Sequence, residues 1–183
     1  DLMSDVVQSL VNILPGNDPF HVEAGRIELM TRMIANGQTG NKQGQGFYRD
    51  SDKGSREVLD LNEAAYLPAP RLNLALAEKA EQQGVSILLE DDTNYGHYAW
   101  RILSRSLSYA ASLIPEIGDN PVGIDDAMKL GYNWIKGPFE LIDEIGVDNF
   151  IDRLEADQLP VPAFLAEAAG SSFYRIEAGE LQA

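Results

Sequence analysis

The chain has 183 residues, 44% of them hydrophobic, enough for one large domain or two small ones around a real core. Its 29 acidic and 14 basic residues leave a net charge of −15, which repels phosphate backbones, argues against a nucleic-acid partner and serves solubility. Cysteine is absent, so there is no disulfide framework, thiolate zinc site or cysteine nucleophile, as fits a reducing compartment. No apolar run approaches the roughly 18 residues that a membrane span needs. No signal peptide is visible, and the start at Asp1 and end at Leu-Gln-Ala lead us to expect a piece of something longer.

Taken in order, Leu2, Met3, Val6, Val7, Leu10 and Leu14 predict a first helix with one apolar face, broken by Pro15-Gly16-Asn17-Asp18-Pro19. A second helix is expected from Glu23 to Asn36, with Ile27, Met30 and Ile34 on its stripe and Gly37 as its stop. The following Gly40, Lys42, Gly44 and Gly46 invite a phosphate-loop reading, but the spacing opposes it. Lys42 does not follow a second glycine and precede Ser or Thr, and Arg49 stands where a dinucleotide fingerprint needs its third glycine. A structured turn is favoured over a phosphate site. Residues 50–70 predict two short strands, Val58–Leu61 and Ala65–Leu67, in a hairpin or extended connector. Short helices are expected over Leu72–Gln83 and Val85–Leu89, and the acidic loop Glu90-Asp91-Asp92 lacks calcium-loop spacing.

The strongest helix is predicted from His97 to Ile114. Trp100, Leu103, Leu107, Ala110 and Ile114 make its buried stripe, widened by Ile102, Tyr109 and Leu113. Arg101, Arg105, Ser108 and Ser112 line the other face, and Pro115 ends it. Residues 123–146 then predict two short helices. Asp125 and Asp126 stand as acids at the first helix start, and Gly131 is its stop. Pro138 opens the second, whose apolar side is Phe139, Leu141, Ile142 and Ile145, and Gly146 closes it. A helix capped by Asp148 and a short one over Ala163–Ala169 lead to Gly170-Ser171-Ser172-Phe173-Tyr174-Arg175.

Phe47-Tyr48-Arg49 recurs as Phe173-Tyr174-Arg175, each after a similar order of helix, proline-interrupted stretch, short helix and glycine. The chain therefore reads as two copies of one helical unit. Residues 1–49 are the end of a truncated first copy, 50–96 a connector with a hairpin and short helices, and 97–183 the second copy.

The stretch Asp125-Asp126-Ala127-Met128, Gly131, Asn133 and Gly137-Pro138-Phe139-Glu140-Leu141 resembles the C-terminal domain of 3-hydroxyacyl-CoA dehydrogenases. Gly40, Lys42, Gly44, Gly46, Phe47 and Tyr48 are similar to that family's closing segment, whose aromatics are expected to plug the helical core. The resemblance covers residues on both sides of a connector that looks like bacterial members carrying a fused enoyl-CoA hydratase domain. It implies an all-α fold: helical bundles of that C-terminal type in tandem, as in long multifunctional fatty-acid-oxidation enzymes. It also implies a parent that uses NAD to oxidise (3S)-3-hydroxyacyl-CoA to 3-ketoacyl-CoA in β-oxidation, in the bacterial cytoplasm. There the chain helps close the acyl-CoA cleft beside a Rossmann domain and carries dimer or pseudo-dimer contacts.

The family's histidine–glutamate dyad and dinucleotide fingerprint are both missing. His21 sits in a loop and His97 at a helix start, neither in a dyad position. No catalytic, cofactor-binding or metal residue is assigned, so the chain is expected to be inactive alone and to self-associate through uncovered apolar surface. The alternative is a non-enzymatic helical module whose acidic face binds a basic partner.

Overall fold

The computed structural model describes residues 2–25, 27–70, 74–177 and 180–182. Among them are ten helices and five short strands, in two compact units, Asp1–Asn73 and Leu74–Ala183. The chain is thus mostly helical, with small antiparallel sheets added.

The first unit opens with α1 (Leu2–Ile13), α2 (Phe20–Ala24) and α3 (Glu28–Ala35). The single helix expected from Glu23 to Asn36 is two. The first begins where the Asp18 carboxylate accepts the Phe20 N–H at 2.8 Å, and Gly25, a poor helix former, stands at its end. Met33 is the buried residue of α3, while Ile27, Met30 and Ile34 are only half-buried. The expected apolar face of α1 forms but stays open, with Leu2 at 70% and Met3 at 67% exposure.

A 3-10 turn over Asn41–Gln43 leads into β1 (Tyr48–Asp50), β2 (Arg56–Leu59) and β3 (Tyr66–Pro68), an antiparallel sheet in the order β1-β2-β3. The predicted hairpin is β2 and β3, joined in register Leu59 to Tyr66. Its third strand comes from residues assigned to the glycine turn. Asp60 shapes the β2–β3 turn by accepting the N–H groups of Glu63 and Asn62, both at 2.9 Å, which holds its carboxyl below the ordinary value. The glycine turn is tight: a Cβ on Gly46 would lie 2.8 Å from the Gly40 Cα.

The second unit holds α4 (Ala75–Gln83), α5 (Ser86–Glu90), α6 (Asn94–Ser112), α7 (Pro121–Tyr132), α8 (Pro138–Ile145), α9 (Val147–Ala156) and α10 (Ala163–Glu167). The strands β4 (Arg175–Glu177) and β5 (Glu180–Gln182) follow as an antiparallel pair. α6 starts three residues earlier than expected, because the Thr93 hydroxyl caps it by accepting from the Tyr95 N–H at 3.2 Å.

Trp100, Leu107 and Ala111 of α6 meet Phe139, Ile142 and Ile145 of α8, Phe150 and Leu154 of α9 and Leu165 of α10 in one core. The buried stripe of α6 keeps the predicted Trp100, Leu107 and Ala110 but widens in another direction than expected. Ser104 is 1% exposed, whereas Ile102, expected to widen the stripe, is 47% exposed. Ser108, placed on the solvent face from sequence, is half-buried, and its Oγ has no hydrogen-bond partner among the described residues. Residues 100, 104, 107 and 111 share one helical face, and a small serine on it lets neighbouring side chains approach the helix axis.

Candidate functional site

Asp125 organises the second unit. It sits on the inward face of α7 and is 0% exposed. The expectation that it stands at the start of its own helix is corrected: that helix starts earlier, after Asn120, whose side chain accepts from the Gly123 N–H at 3.0 Å. Asp125 instead reaches across to α8. Its two carboxylate oxygens accept the N–H groups of Phe139 at 2.9 Å and Glu140 at 3.0 Å, the unpaired donors of that helix's first turn. Glu140 in turn accepts the Gly137 N–H at 2.7 Å and bonds the Lys129 ammonium at 2.9 Å. Likewise α7 ends not at Gly131 but at Tyr132, with Asn133 in the left-handed region at φ 57°. Gly137 is required here because a Cβ would overlap the Cα, Cβ and Cγ of Asp125.

The segment Phe173-Tyr174 closes this pair of helices. The Phe173 ring lies edge-on to Phe139 at 4.9 Å and stacks on Phe164 at 5.6 Å. Asp143 of α8 accepts the Phe173 N–H at 2.9 Å and the Tyr174 N–H at 2.7 Å. The Tyr174 hydroxyl donates to Asp125 at 2.9 Å. Burial pushes the Asp125 carboxyl above its ordinary value, against the Phe139 N–H, Tyr174 hydroxyl and Glu140 N–H bonds that favour the anion. Burial also raises the Tyr174 phenol far above the tyrosine range, reinforced by its bond to Asp125. Glu140 is also penalised by burial, but its bonds to Lys129 and the Gly137 N–H outweigh that and hold it below its ordinary value.

In the first unit the matching aromatics do not plug a core: Phe47 is 44% and Tyr48 50% exposed. The described first unit offers them neither an aromatic floor like Phe139 with Phe164 nor a carboxylate like Asp143. Tyr48 instead leaves on β1, with Arg56 over its ring at 5.2 Å.

The two histidines stay apart from any reacting constellation. His21 bonds the Pro15 carbonyl through Nε2 at 2.9 Å. His97 meets the fully exposed Asp92 at 3.1 Å, a surface contact. The acidic loop is structural: Asp91 caps Thr93 through both its hydroxyl and its N–H, and these bonds lower its carboxyl. Among the described residues no cluster of three or more His, Cys, Asp or Glu could hold a metal. An open groove of about 490 Å³ along α6 is lined by His97, Tyr98, Arg101 and Ser104, with Asp157 holding the Trp100 indole N–H at 2.5 Å. Its serine donates only to the Arg101 carbonyl, at 3.5 Å, so no base activates a nucleophile there.

The match to known proteins spans the elements just described. Residues 96–175, from the start of α6 to the end of the aromatic plug, match the family model of the 3-hydroxyacyl-CoA dehydrogenase, C-terminal domain. Over these residues, under half of the chain, the protein is similar to that domain. Asp125, Phe139 and the Phe173-Tyr174 plug all lie inside the matched residues and form their internal frame.

A putative fatty acid oxidation complex trifunctional enzyme of Rickettsia felis is 32% identical over 171 residues, 90% of this chain and 23% of that protein. A probable 3-hydroxyacyl-CoA dehydrogenase of Bacillus subtilis is 33% identical over 176 residues, 92% of this chain and 22% of that protein. A second putative trifunctional enzyme, from Rickettsia prowazekii, is 31% identical over 173 residues, 91% of this chain and 23% of that protein. The chain thus spans under a quarter of the length of these relatives. No solved structure gives a significant match.

Sequence reasoning singled out the motif that holds Asp125 but gave the residue the wrong partner. A carboxylate between Ile124 and Met128 on a helix packed against the core was the available signal, because a buried acid needs donors from elsewhere.

Proposed function

We propose that this chain is the C-terminal helical part of a multifunctional NAD-dependent 3-hydroxyacyl-CoA dehydrogenase acting in fatty-acid β-oxidation. In it, the parent enzyme oxidises (3S)-3-hydroxyacyl-CoA to 3-ketoacyl-CoA, and the histidine–glutamate dyad and Rossmann domain lie elsewhere in the polypeptide. The similarity to the Rickettsia and Bacillus proteins over about nine-tenths of the chain carries this reading. The chain's own part is to close the acyl-CoA cleft and to supply dimer or pseudo-dimer contacts, as one truncated and one nearly whole copy of the same helical unit. Gly44 at φ 74° and Gly170 at φ 75°, each three residues before its Phe-Tyr-Arg, support the two-copy reading. A fused enoyl-CoA hydratase domain belongs to the same proposal, as does action in the bacterial cytoplasm.

The residues present do not fit NAD itself. Dinucleotide phosphates need a glycine turn between a parallel strand and the N-terminus of a helix. Here the glycine segment passes from a 3-10 turn through an isolated bridge, Gly40 to Gln45, into the antiparallel β1. Hydride transfer when NAD is bound therefore belongs to the parent's other domains, and this chain's part is to shape and exclude water from the cleft.

The test is the coding sequence on either side of this segment. A strand–helix unit with G-x-G-x-x-G upstream is expected, and an upstream frame without it would sink the proposal. In parallel, the isolated chain should produce no NADH from 3-hydroxybutyryl-CoA above a buffer blank. Turnover that survives further purification would place the chemistry here instead.

A further inference from the structure

We propose that the groove along α6 is a docking site for an acidic segment of another protein. The segment sets a carboxylate on the turn that carries Arg101 and Arg105, and an apolar side chain on Trp100 and Leu159. The site lies wholly in the second unit, and it does not depend on the dehydrogenase reading.

The floor of the groove is fixed in place. Arg153 lies over the Trp100 ring at 4.5 Å, Phe150 meets that ring edge-on at 5.6 Å, and Asp157 accepts its indole N–H at 2.5 Å. The half-buried Leu159 and the buried Ser104 line the groove beside it, and the exposed Tyr98 stands at its rim. Aromatic and arginine side chains on a rigid base are what carry most of the energy where protein segments dock.

The charge of the groove is opposite to that of the chain. Against 29 acids and 14 bases overall, it is lined by Arg101, Arg105 and His97 and by one carboxylate, Asp157, which the indole engages. His97 is taken by Asp92, whereas Arg101 has no ion pair among the described residues. The Arg105 guanidinium donates to the Arg101 carbonyl at 3.4 Å, which folds it back to the turn of Arg101. Like charges one helical turn apart repel, and a carboxylate held by both removes that repulsion with charge-assisted bonds. Ser104 stands on the same turn at 1% exposure. Its hydroxyl has one bond among the described residues, stretched to 3.5 Å, so it is a ready further donor to an incoming oxygen.

The length of the groove favours a peptide over a small anion. It runs along α6 from Asn94 to Arg105, about 16 Å of helix. That is the span of about five extended residues, several times what one anion fills. The net charge of the chain also repels a ligand that offers only negative charge, so the attraction has to combine a carboxylate with apolar contact.

The probe is an end-capped pentapeptide, Glu-Leu-Glu-Leu-Glu, titrated into the isotope-labelled full chain and followed by amide NMR. It should move the amides of residues 94–105 and 157–159. It should bind at least about tenfold more tightly than Gln-Leu-Gln-Leu-Gln, and more weakly as salt is added. Arg101→Gln with Arg105→Gln should abolish the preference for the acidic peptide, and Ser104→Ala should reduce it less. The comparison of peptides and the salt series use the unaltered chain, so they decide even where the double variant does not fold. Equal binding of the two peptides, or no movement with either, overturns the proposal. So does inorganic phosphate that moves the same amides at lower concentration than the acidic peptide, which would make the groove a small-anion site. None of these outcomes bears on the dehydrogenase reading, which the flanking coding sequence tests separately.

Discussion

The two units differ in what their helices are packed against. In the first, Ala24, Met33 and Leu59 are the buried apolar residues among those described, while α1 keeps Leu2, Met3, Val6, Leu10 and Ile13 open to solvent. In the second, Trp100, Leu107, Phe139, Ile142, Phe150, Leu154 and Leu165 close one core, and the buried Asp125 and half-buried Asp143 tie its helices and plug together. Both units have helices of clear amphipathic pattern. The comparison teaches that such a pattern makes a face available, whereas burial needs a second face of matching shape.

The largest expected effect lies at the keystone of the second unit. Asp125→Ala leaves the Phe139 N–H, the Glu140 N–H and the Tyr174 hydroxyl without their acceptor, so it should cost about 3 kcal/mol or more in urea unfolding, at about 1–3 kcal/mol per unsatisfied buried group. A cost below about 1 kcal/mol would mean that water replaces the carboxylate freely and that the site is not closed. Next, Leu107→Ala should cost about 2–5 kcal/mol as a large-to-small change at a residue 0% exposed. The matching change in the first unit, Leu10→Ala, should stay within about 0.5 kcal/mol. Equal costs would erase the contrast between the units.

Acid sharpens the comparison within the second unit. Glu140 has a folded pKa below its ordinary 4.5, so its contribution is present above that value and is lost as pH falls through the lower, folded one. Asp125 has the opposite sign. Its folded pKa lies above 3.8, so its contribution is fully present below 3.8 and declines as pH rises through the folded value. Glu140→Gln should therefore flatten the loss of stability below pH 4.5, and Asp125→Asn should not. Chemical denaturation at a series of pH values reads both, and an unchanged acid limb in Glu140→Gln would show that the Lys129 pair carries no linkage.

Smaller still is the effect of the open face. Val6→Ser with Leu10→Ser should weaken any self-association seen by sedimentation at tens of micromolar and leave the monomer's stability nearly unchanged. Association that persists undiminished would place the contact elsewhere. The smallest effect is expected at Ser108, whose Oγ has no partner among the described residues. Ser108→Ala should be neutral or stabilising by less than about 1 kcal/mol, since it removes a buried unsatisfied hydroxyl. A loss of more than that would reveal a bond to the hydroxyl.

Much of the frame was legible along the chain. Pro138 at the first turn of α8, Gly146 at its end, the stripe residues Trp100 and Leu107 and the β2–β3 hairpin are local signals of capping, periodicity and turn chemistry, and each is where it was expected. The misses share a cause. Ile102 was counted into the stripe because it is apolar, and Ser104 was given no place in it, yet the face of α6 that packs is chosen by the helices around it. Asp125 was read as an acid serving the start of its own helix because the N–H groups it does serve lie 14 and 15 residues away.

The amino-acid order by itself determined most of the helices, the stop of α8 at Gly146, the repeated Phe-Tyr-Arg and the family motif of residues 125–141, because each depends on contacts within a few turns of chain. Only the tertiary structure decided which plug is seated. Phe173-Tyr174 and Phe47-Tyr48 are the same in sequence, and their fates differ by what stands opposite. One meets the ring of Phe139 and the carboxylates of Asp125 and Asp143, and the other meets no such slot within its own unit. Burying an aromatic pair with its polar groups satisfied requires acceptors placed in three dimensions, and that placement is not encoded in the plug.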